Sequence, residues 1–234
     1  MGDLAEIHAA AIWGDHTTLR RVLAEGVSPD AIEPRFYGRT PLHFLCDSNI
    51  IPSLASGLVV CFELLRDAGA NLEAVDHNRN TPLHCAARSC TPELLSLLVQ
   101  ARVKLDVTCI GGTTALHQAA RMSGGRATEC VGLLLAGGAD VDARCNTGMS
   151  PLSFALDFGC RHTWPLLLRA GAEIPSRVFV ITRPYIVRVR NAGGFKKYAL
   201  DHLTRITPTF ASMLRLPAQP ARRVAEFWLH AGYY

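Results

Sequence analysis

The chain has 234 residues, 49% of them apolar and 19% charged, a composition that excludes a disordered chain and suffices for a continuous core. It holds no apolar run long enough to span a membrane, which takes about eighteen residues, and its start lacks the basic and apolar segments of a secretory signal. The formal net charge of +4 is unevenly spread, −4 over residues 1–174 and +8 over residues 175–234, which predicts two tasks or a basic tail docked partly on an acidic array.

The eight cysteines stand at 46, 61, 85, 90, 109, 130, 145 and 160. No Cys-x-x-Cys pair offers half of a zinc site, and most occupy small apolar positions, so buried free thiols in a reducing compartment are expected. Met1-Gly2 invites N-myristoylation, but Glu6 stands where that signal has Ser or Thr. The expected location is cytoplasmic, with the nucleus as the alternative, and no membrane partner is expected.

In chain order, residues 5–30 predict two short helices, with Ile7-His8-Ala9-Ala10 in the first and Leu19, Val22 and Leu23 in the second. Residues 33–38 form a turn in which Phe36 and Tyr37 are unusually bulky for an exposed tip; packing against a neighbouring turn is the structural explanation. Thr40-Pro41-Leu42-His43 then opens a helix. The same opening returns as Thr81-Pro82-Leu83-His84, Thr114-Ala115-Leu116-His117 and, weakened, Ser150-Pro151-Leu152-Ser153, at separations of 41, 33 and 36 residues. A second landmark keeps step with it: Gly69-Ala70-Asn71-Leu72-Glu73-Ala74, Gly138-Ala139-Asp140-Val141-Asp142-Ala143 and Gly171-Ala172-Glu173-Ile174, with Gly26-Val27-Ser28-Pro29-Asp30-Ala31 as a looser case.

The residue types have mechanical reasons. Thr caps a helix by accepting from a free backbone amide, Pro suits the first turn where no donor is missed, and Leu enters the core. Gly before Ala permits the left-handed backbone that stops the second helix. Arg102 stands where the third unit would have that Gly, so a slightly different or strained turn is predicted there. About residues 47–57 are an insertion between the two helices of the second unit, holding Ile50, Ile51, Pro52 and Leu54, and Ser123-Gly124-Gly125-Arg126 is a smaller one in the fourth. Such insertions are either enlarged loops or binding loops.

Two landmarks in register over residues 5–174 make this stretch resemble the ankyrin-repeat family. The resemblance implies an all-α ankyrin-repeat solenoid of five helix-turn-helix units with hairpin fingers, the first and last irregular, closed by a small helical C-terminal cap. It implies that His8, His43, His84 and His117 tie adjacent units together. It also implies a protein partner, of identity the sequence does not give, held by the fingers and the exposed side of the first helices. Mapped by position, the finger candidates are Arg35, Phe36 and Tyr37; His77, Asn78 and Arg79; Ile110; and Cys145 and Asn146. The inner-face candidates are Phe44, Arg88, Arg121 and Phe158. Phe154, Phe158 and Trp164 enlarge the last unit, and they are expected to meet the tail.

The tail, residues 175–234, opens with a β-branched stretch over 178–181. It predicts a capping helix over 183–191, a helix over 196–205 with Leu200 and Leu203 on one side, and a last helix over 221–230 grouping Val224, Phe227 and Trp228. The run Ala199-Leu200-Asp201-His202-Leu203-Thr204-Arg205, with Leu216-Pro217-Ala218-Gln219-Pro220 before a helix, is similar to a SOCS box, and the second element also to an F-box-like end. That likeness implies a ubiquitin ligase adaptor recruiting elongin B/C and a cullin through residues 196–234, although Thr204 and Ala199 depart from the box and its Leu-Pro-Leu-Pro signature is incomplete. A private structural cap is the alternative. Nucleic-acid contact is a third reading, resting on Arg183, Arg188, Arg190, Lys196, Lys197, Arg222 and Arg223; no RNA-binding signature or zinc finger accompanies them, and solvated helices explain the count. No His-x-x-x-His, nucleophile elbow or phosphate loop occurs, so no catalysis, metal or cofactor is expected.

Overall fold

The computed structural model describes residues 5–47, 55–175 and 184–214. Twelve α-helices lie among them: α1 (Glu6–Trp13), α2 (His16–Ala24), α3 (Pro41–Cys46), α4 (Ala55–Asp67), α5 (Pro82–Ser89), α6 (Pro92–Gln100), α7 (Ala115–Ala120), α8 (Gly125–Ala136), α9 (Pro151–Asp157), α10 (Trp164–Arg169), α11 (Pro184–Asn191) and α12 (Phe195–Leu214). The odd-numbered helices α1 to α9 stack as one layer and the even-numbered α2 to α10 as a second, so the first ten helices are five two-helix units of a solenoid. Between the layers runs the core. The landmark leucines Leu42, Leu83, Leu116 and Leu152, with Ile7 in the first unit, are buried against Leu19, Phe62, Leu95, Leu134 and Leu167 from the second helices. A short helix with one apolar side gains its stability from such stacking rather than from its own propensity.

The three central units begin in the way the Thr-Pro-Leu-His opening predicts, with the histidine doing more than the threonine. The Thr40 amide donates to Nδ1 of His43 at 3.2 Å and the Thr40 hydroxyl lies 2.9 Å from the same nitrogen, with the equivalent pairs at Thr81/His84 and Thr114/His117. An Nδ1 that accepts a backbone N–H carries no proton, so Nε2 donates. It does so across to the next unit: His43 to the carbonyl of Asn80 (2.9 Å), His84 to Thr113 (3.1 Å) and His117 to Met149 (3.0 Å), each the residue before the next helix cap. His8 bonds Ala31 O (2.8 Å); Ala5 at the cap position of α1 offers no hydroxyl, and among the described residues the buried Nδ1 has no partner. Ser153 takes the histidine position of the last unit, and its amide donates to the capping Ser150 hydroxyl (3.3 Å).

The second landmark carries a ladder of its own. The Asp30 carboxylate accepts from the Asn71 amide (2.9 Å), Glu73 from Lys104 (2.7 Å), Asp106 from Asp140 (2.9 Å) and Asp142 from Glu173 (2.8 Å). The turn residue before it is left-handed in every unit, at Gly26, Gly69, Gly138 and Gly171 and at Arg102, whose φ is 58°. Arginine therefore accepts the strained turn, and Arg102→Gly is expected to gain about 0.5–1 kcal/mol, read as a raised urea midpoint.

Several expectations change. Residues 55–57 of the insertion belong to α4, where Gly57 comes so close to Gly14 that a Cβ would sit 2.8 Å from the Gly14 carbonyl. Ile50, Ile51, Pro52 and Leu54 lie outside the described residues. The Gly-rich segment of the fourth unit starts α8, and it sets Arg126 on Glu93 (2.7 Å) and on the Cys90 carbonyl (2.9 Å). The helix predicted over 183–191 is α11, but the one predicted to end at 205 continues as α12 to Leu214 through Pro208. Pro208 supplies no amide to its helix, and the hydroxyls of Thr204 and Thr207 bond the carbonyls of Leu200 and Leu203. α12 packs on α10 and α11. Leu200 and Leu203 lie on one side of α12 as expected, lining a cleft with α10, but only Leu203 is buried while Leu200 is 55% exposed. Residues 178–181 and 221–230 lie outside the described residues. All eight cysteines are free thiols, six of them buried.

Candidate protein-binding surface

The fingers between units are held side by side by backbone hydrogen bonds. Each closes on itself, Glu33 N to Arg39 O, Asp76 N to Asn80 O, Cys109 N to Thr113 O and Cys145 N to Met149 O, at 3.0–3.1 Å. The fingers then join one another, His77 N to Tyr37 O (2.7 Å), Ile110 N to Asn78 O (3.0 Å) and Asn146 N to Gly111 O (3.1 Å). The second finger is organised by Asp76, buried at 3% exposure, which accepts from the amides of Asn78 and Asn80 at 2.8 Å and from the Asn80 side chain. Burial opposes its ionisation, but these donors outweigh it and hold the carboxyl below its ordinary range. His77 rests on Gly38, where a Cβ would stand 2.5 Å from the ring, so residue 38 can only be glycine while His77 lies there.

What the ladder leaves outside is chemically uneven. Arg35, Tyr37, His77, Asn78, Arg79, Ile110 and Asn146 are exposed, although the Asn146 amide already donates to Ile110 O at 2.9 Å. Phe36 is exposed on one edge and meets Phe44 edge-on with ring centres 5.7 Å apart, not a neighbouring finger. Cys145 is turned inward, its sulfur 3.0 Å from the Thr147 hydroxyl, so it offers a partner no surface.

On the inner face, position alone misassigns two residues. Phe44 is 7% exposed, enclosed by His8 (5.3 Å between ring centres) and Phe36, and is core rather than surface. Arg88 is committed to Asp47: its Nη2 lies 3.0 Å from both carboxylate oxygens, while Arg39 (2.7 Å) and Ser89 (2.9 Å) take the same group. Arg121 and Phe158 do lie open at the far end, with the guanidinium carbon 5.0 Å above the ring centre, a cation–π contact. Phe154 stands edge-on to His117 at 5.1 Å and next to Phe158 at 6.1 Å between ring centres, and part of the tail they are expected to meet lies outside the described residues. Of the enlarged residues only Trp164 enters the core beside α12's partner surface. Ile32 and Val75, at the bases of the first two fingers, are exposed as well. Ile32 and Val75 share one register position, the residue before the buried acid of each finger, a signal visible once the fingers are aligned.

The tail contributes a cleft of about 830 Å³ between α10 and α12, with Leu168, Ala172 and Ile174 on one side and Phe195, Leu200 and Leu203 on the other. Among the described residues no group of three or more His, Cys, Asp or Glu is placed to hold a metal ion, and no helix is long and apolar enough to cross a membrane.

The four unit histidines give the surface a pH limit. Burial is the largest influence on His8, His43, His84 and His117 and holds each below the ordinary imidazole value, with the carbonyls that accept from the rings opposing it. The folded state thus favours the neutral ring. Stability is full above the unfolded value near 6.5 and is lost as pH falls from there through the folded values. The limiting slope is about 1.4 kcal/mol per pH unit for each histidine. Urea midpoints measured from pH 7.5 to 5.0 are expected to hold flat above about 6.5 and then fall.

Compared with known proteins, the chain matches the family model described as "Ankyrin repeats (3 copies)" over residues 7–109, 53–145 and 103–177. It is 33% identical over 131 residues to Inversin of Gallus gallus, covering 56% of this chain and 11% of that protein. It is 31% identical over 143 residues to the B-cell lymphoma 3 protein of Homo sapiens, 59% of this chain and 30% of that protein. It is 35% identical over 133 residues to Ankyrin repeat and SOCS box protein 11 of Danio rerio, 56% of this chain and 42% of that protein. The chain therefore spans less than half the length of each of these relatives.

Proposed function

The chain belongs to the ankyrin-repeat family, whose repeats are protein-interaction units, and on that premise we propose that it is a non-catalytic module binding a protein partner through its finger tips and the open end of its inner face. The observation that carries this is the contrast between a scaffold locked by three ladders and the exposed, apolar Tyr37, Val75, Ile110 and Phe158 it displays. Surface of that kind on a rigid frame costs little to order on binding. The test is capture of partners from cell extract on the immobilised chain, followed by titration of each against wild type and a Tyr37→Ala/Ile110→Ala variant. At least a tenfold loss of affinity, about 1.4 kcal/mol, with an unchanged urea midpoint supports the reading; equal binding moves the contact elsewhere.

The adaptor reading is the alternative, favoured by one feature of α12. Leu200, inside the run similar to a SOCS box, is more than half exposed on a helix whose Leu203 is buried, and one relative is named as an ankyrin repeat and SOCS box protein. In this reading the fingers hold a substrate and residues 196–234 recruit elongin B/C and a cullin. Co-purification of elongins with the full chain, lost in Leu200→Asp, supports it. Their absence with wild type leaves the tail a structural cap.

A further inference from the structure

The two neighbouring finger tips at Tyr37 and Arg79 adopt a backbone that their side chains disfavour. Tyr37 and Arg79 are left-handed, with φ of 61° and 60°, and the residues matching Arg79 in the next two fingers are Gly112 and Gly148, with φ of 72° and 74°. The match is set by the bond that tightens each tip, Arg79 N to Asp76 O, Gly112 N to Cys109 O and Gly148 N to Cys145 O, all 2.8 Å. Glycine is the residue such a position favours, and backbone strain of this kind concentrates where side chains serve a ligand.

The charge around these tips is unbalanced. Among the described residues neither the Arg35 nor the Arg79 guanidinium has an ion-pair or hydrogen-bond partner. The neighbouring acids are already occupied. Glu33 is buried and accepts from the Arg35 amide (3.2 Å), Asp76 is enclosed by Asn78, Asn80 and Arg39, and Asp47 is held by Arg39, Arg88 and Ser89. No acidic side chain stands in residues 34–38 or 77–79. Beside the two cations lie exposed apolar side chains, Phe36, Tyr37, Val75 and Ile110, and the Tyr37–His77 backbone bond fixes one tip against the other.

Resting on the protein-binding reading above, we infer that the first two fingers recognise an acidic segment of the partner protein, its carboxylates facing Arg35 and Arg79 and a bulky apolar side chain beside them packing on Phe36 and Tyr37. Guanidinium–carboxylate pairing is the strongest polar contact these residues can make, and aromatic surface next to it supplies the apolar half.

The test uses the full chain and a displayed library of random peptides of about twelve residues, which extend to about 40 Å and can cover both tips. Peptides enriched on wild type over an Arg35→Ala/Arg79→Gly variant are expected to carry Asp or Glu next to bulky apolar residues. Synthesised singly, they should bind Arg79→Gly about five- to tenfold more weakly and weaken as salt rises. The same Arg79→Gly change should raise the urea midpoint, since glycine suits the backbone there, so a residue serving only the fold would shift stability the other way. Enriched peptides without acidic residues, no enrichment over the double variant, or unchanged affinity for Arg79→Gly would overturn the inference. So would a twelve-nucleotide single-stranded DNA that binds more tightly than the peptides and is lost with Arg79→Gly. Peptides insensitive to Arg79→Gly but lost with Tyr37→Ala/Ile110→Ala would overturn the acidic assignment while leaving protein binding by the fingers intact.

Discussion

Replacing His84 by leucine is expected to cost about 3–5 kcal/mol in urea denaturation, because three buried polar groups lose their partner at once at about 1–3 kcal/mol each. The three are the amide and hydroxyl of Thr81, 3.2 and 2.9 Å from Nδ1, and the carbonyl of Thr113, 3.1 Å from Nε2. Leucine is close to histidine in size and fills the site, so the loss is polar rather than a cavity. The control is His8→Leu. Among the described residues that histidine makes a single bond, to Ala31, and its other nitrogen is already buried without a partner, so the cost is expected near 1 kcal/mol. A smaller effect at 84 than at 8 would mean that the histidines follow the packing instead of holding it.

Asp47→Asn is expected to cost about 2–3 kcal/mol by the same measurement, since it leaves two half-buried guanidiniums without their shared counter-charge. Side-chain exposures of 16% for Arg39, 31% for Arg88 and 26% for Asp47 place the cluster between core and surface, which is why the figure lies below that of a fully buried pair. Burial opposes the charge on Asp47, yet Arg88, Ser89 and Arg39 together hold its carboxyl below the ordinary range. Its contribution is therefore present above the unfolded carboxylate value near 4 and is lost as pH falls through the folded one, well below the histidine window. Glu93→Gln, which breaks the more exposed pair with Arg126, should cost under about 1 kcal/mol.

The repeats were legible because their signals are local. Thr, Pro and His within four residues specify a helix start, and Gly before Ala specifies a helix stop, so α3, α5, α7 and α9 begin where the openings stand. Phe44 and Arg88 were not legible as occupied residues, because their partners lie far away in sequence: Asp47 reaches Arg88 across 41 positions and His8 meets Phe44 across 36. Occupancy depends on the stacking offset between units, which varies here with insertions. The helix stop placed at 205 failed for a different reason. Pro208 removes one amide from α12 without ending it, and a breaker of that kind gives the sequence a stop signal that the helix does not obey.

The bonds of His43, His84 and His117 run in one direction only, each donating to the carbonyl just before the cap of the unit after it. A segment cut between any two such bonds and copied in tandem carries a donor at one end and an acceptor at the other, so the new junction closes with the same chemistry as the old. Gene duplication can thus lengthen such an array without inventing a contact. Only the ends need new sequence, and there this chain has Ala5 in place of the first threonine and Ser153 in place of the last histidine.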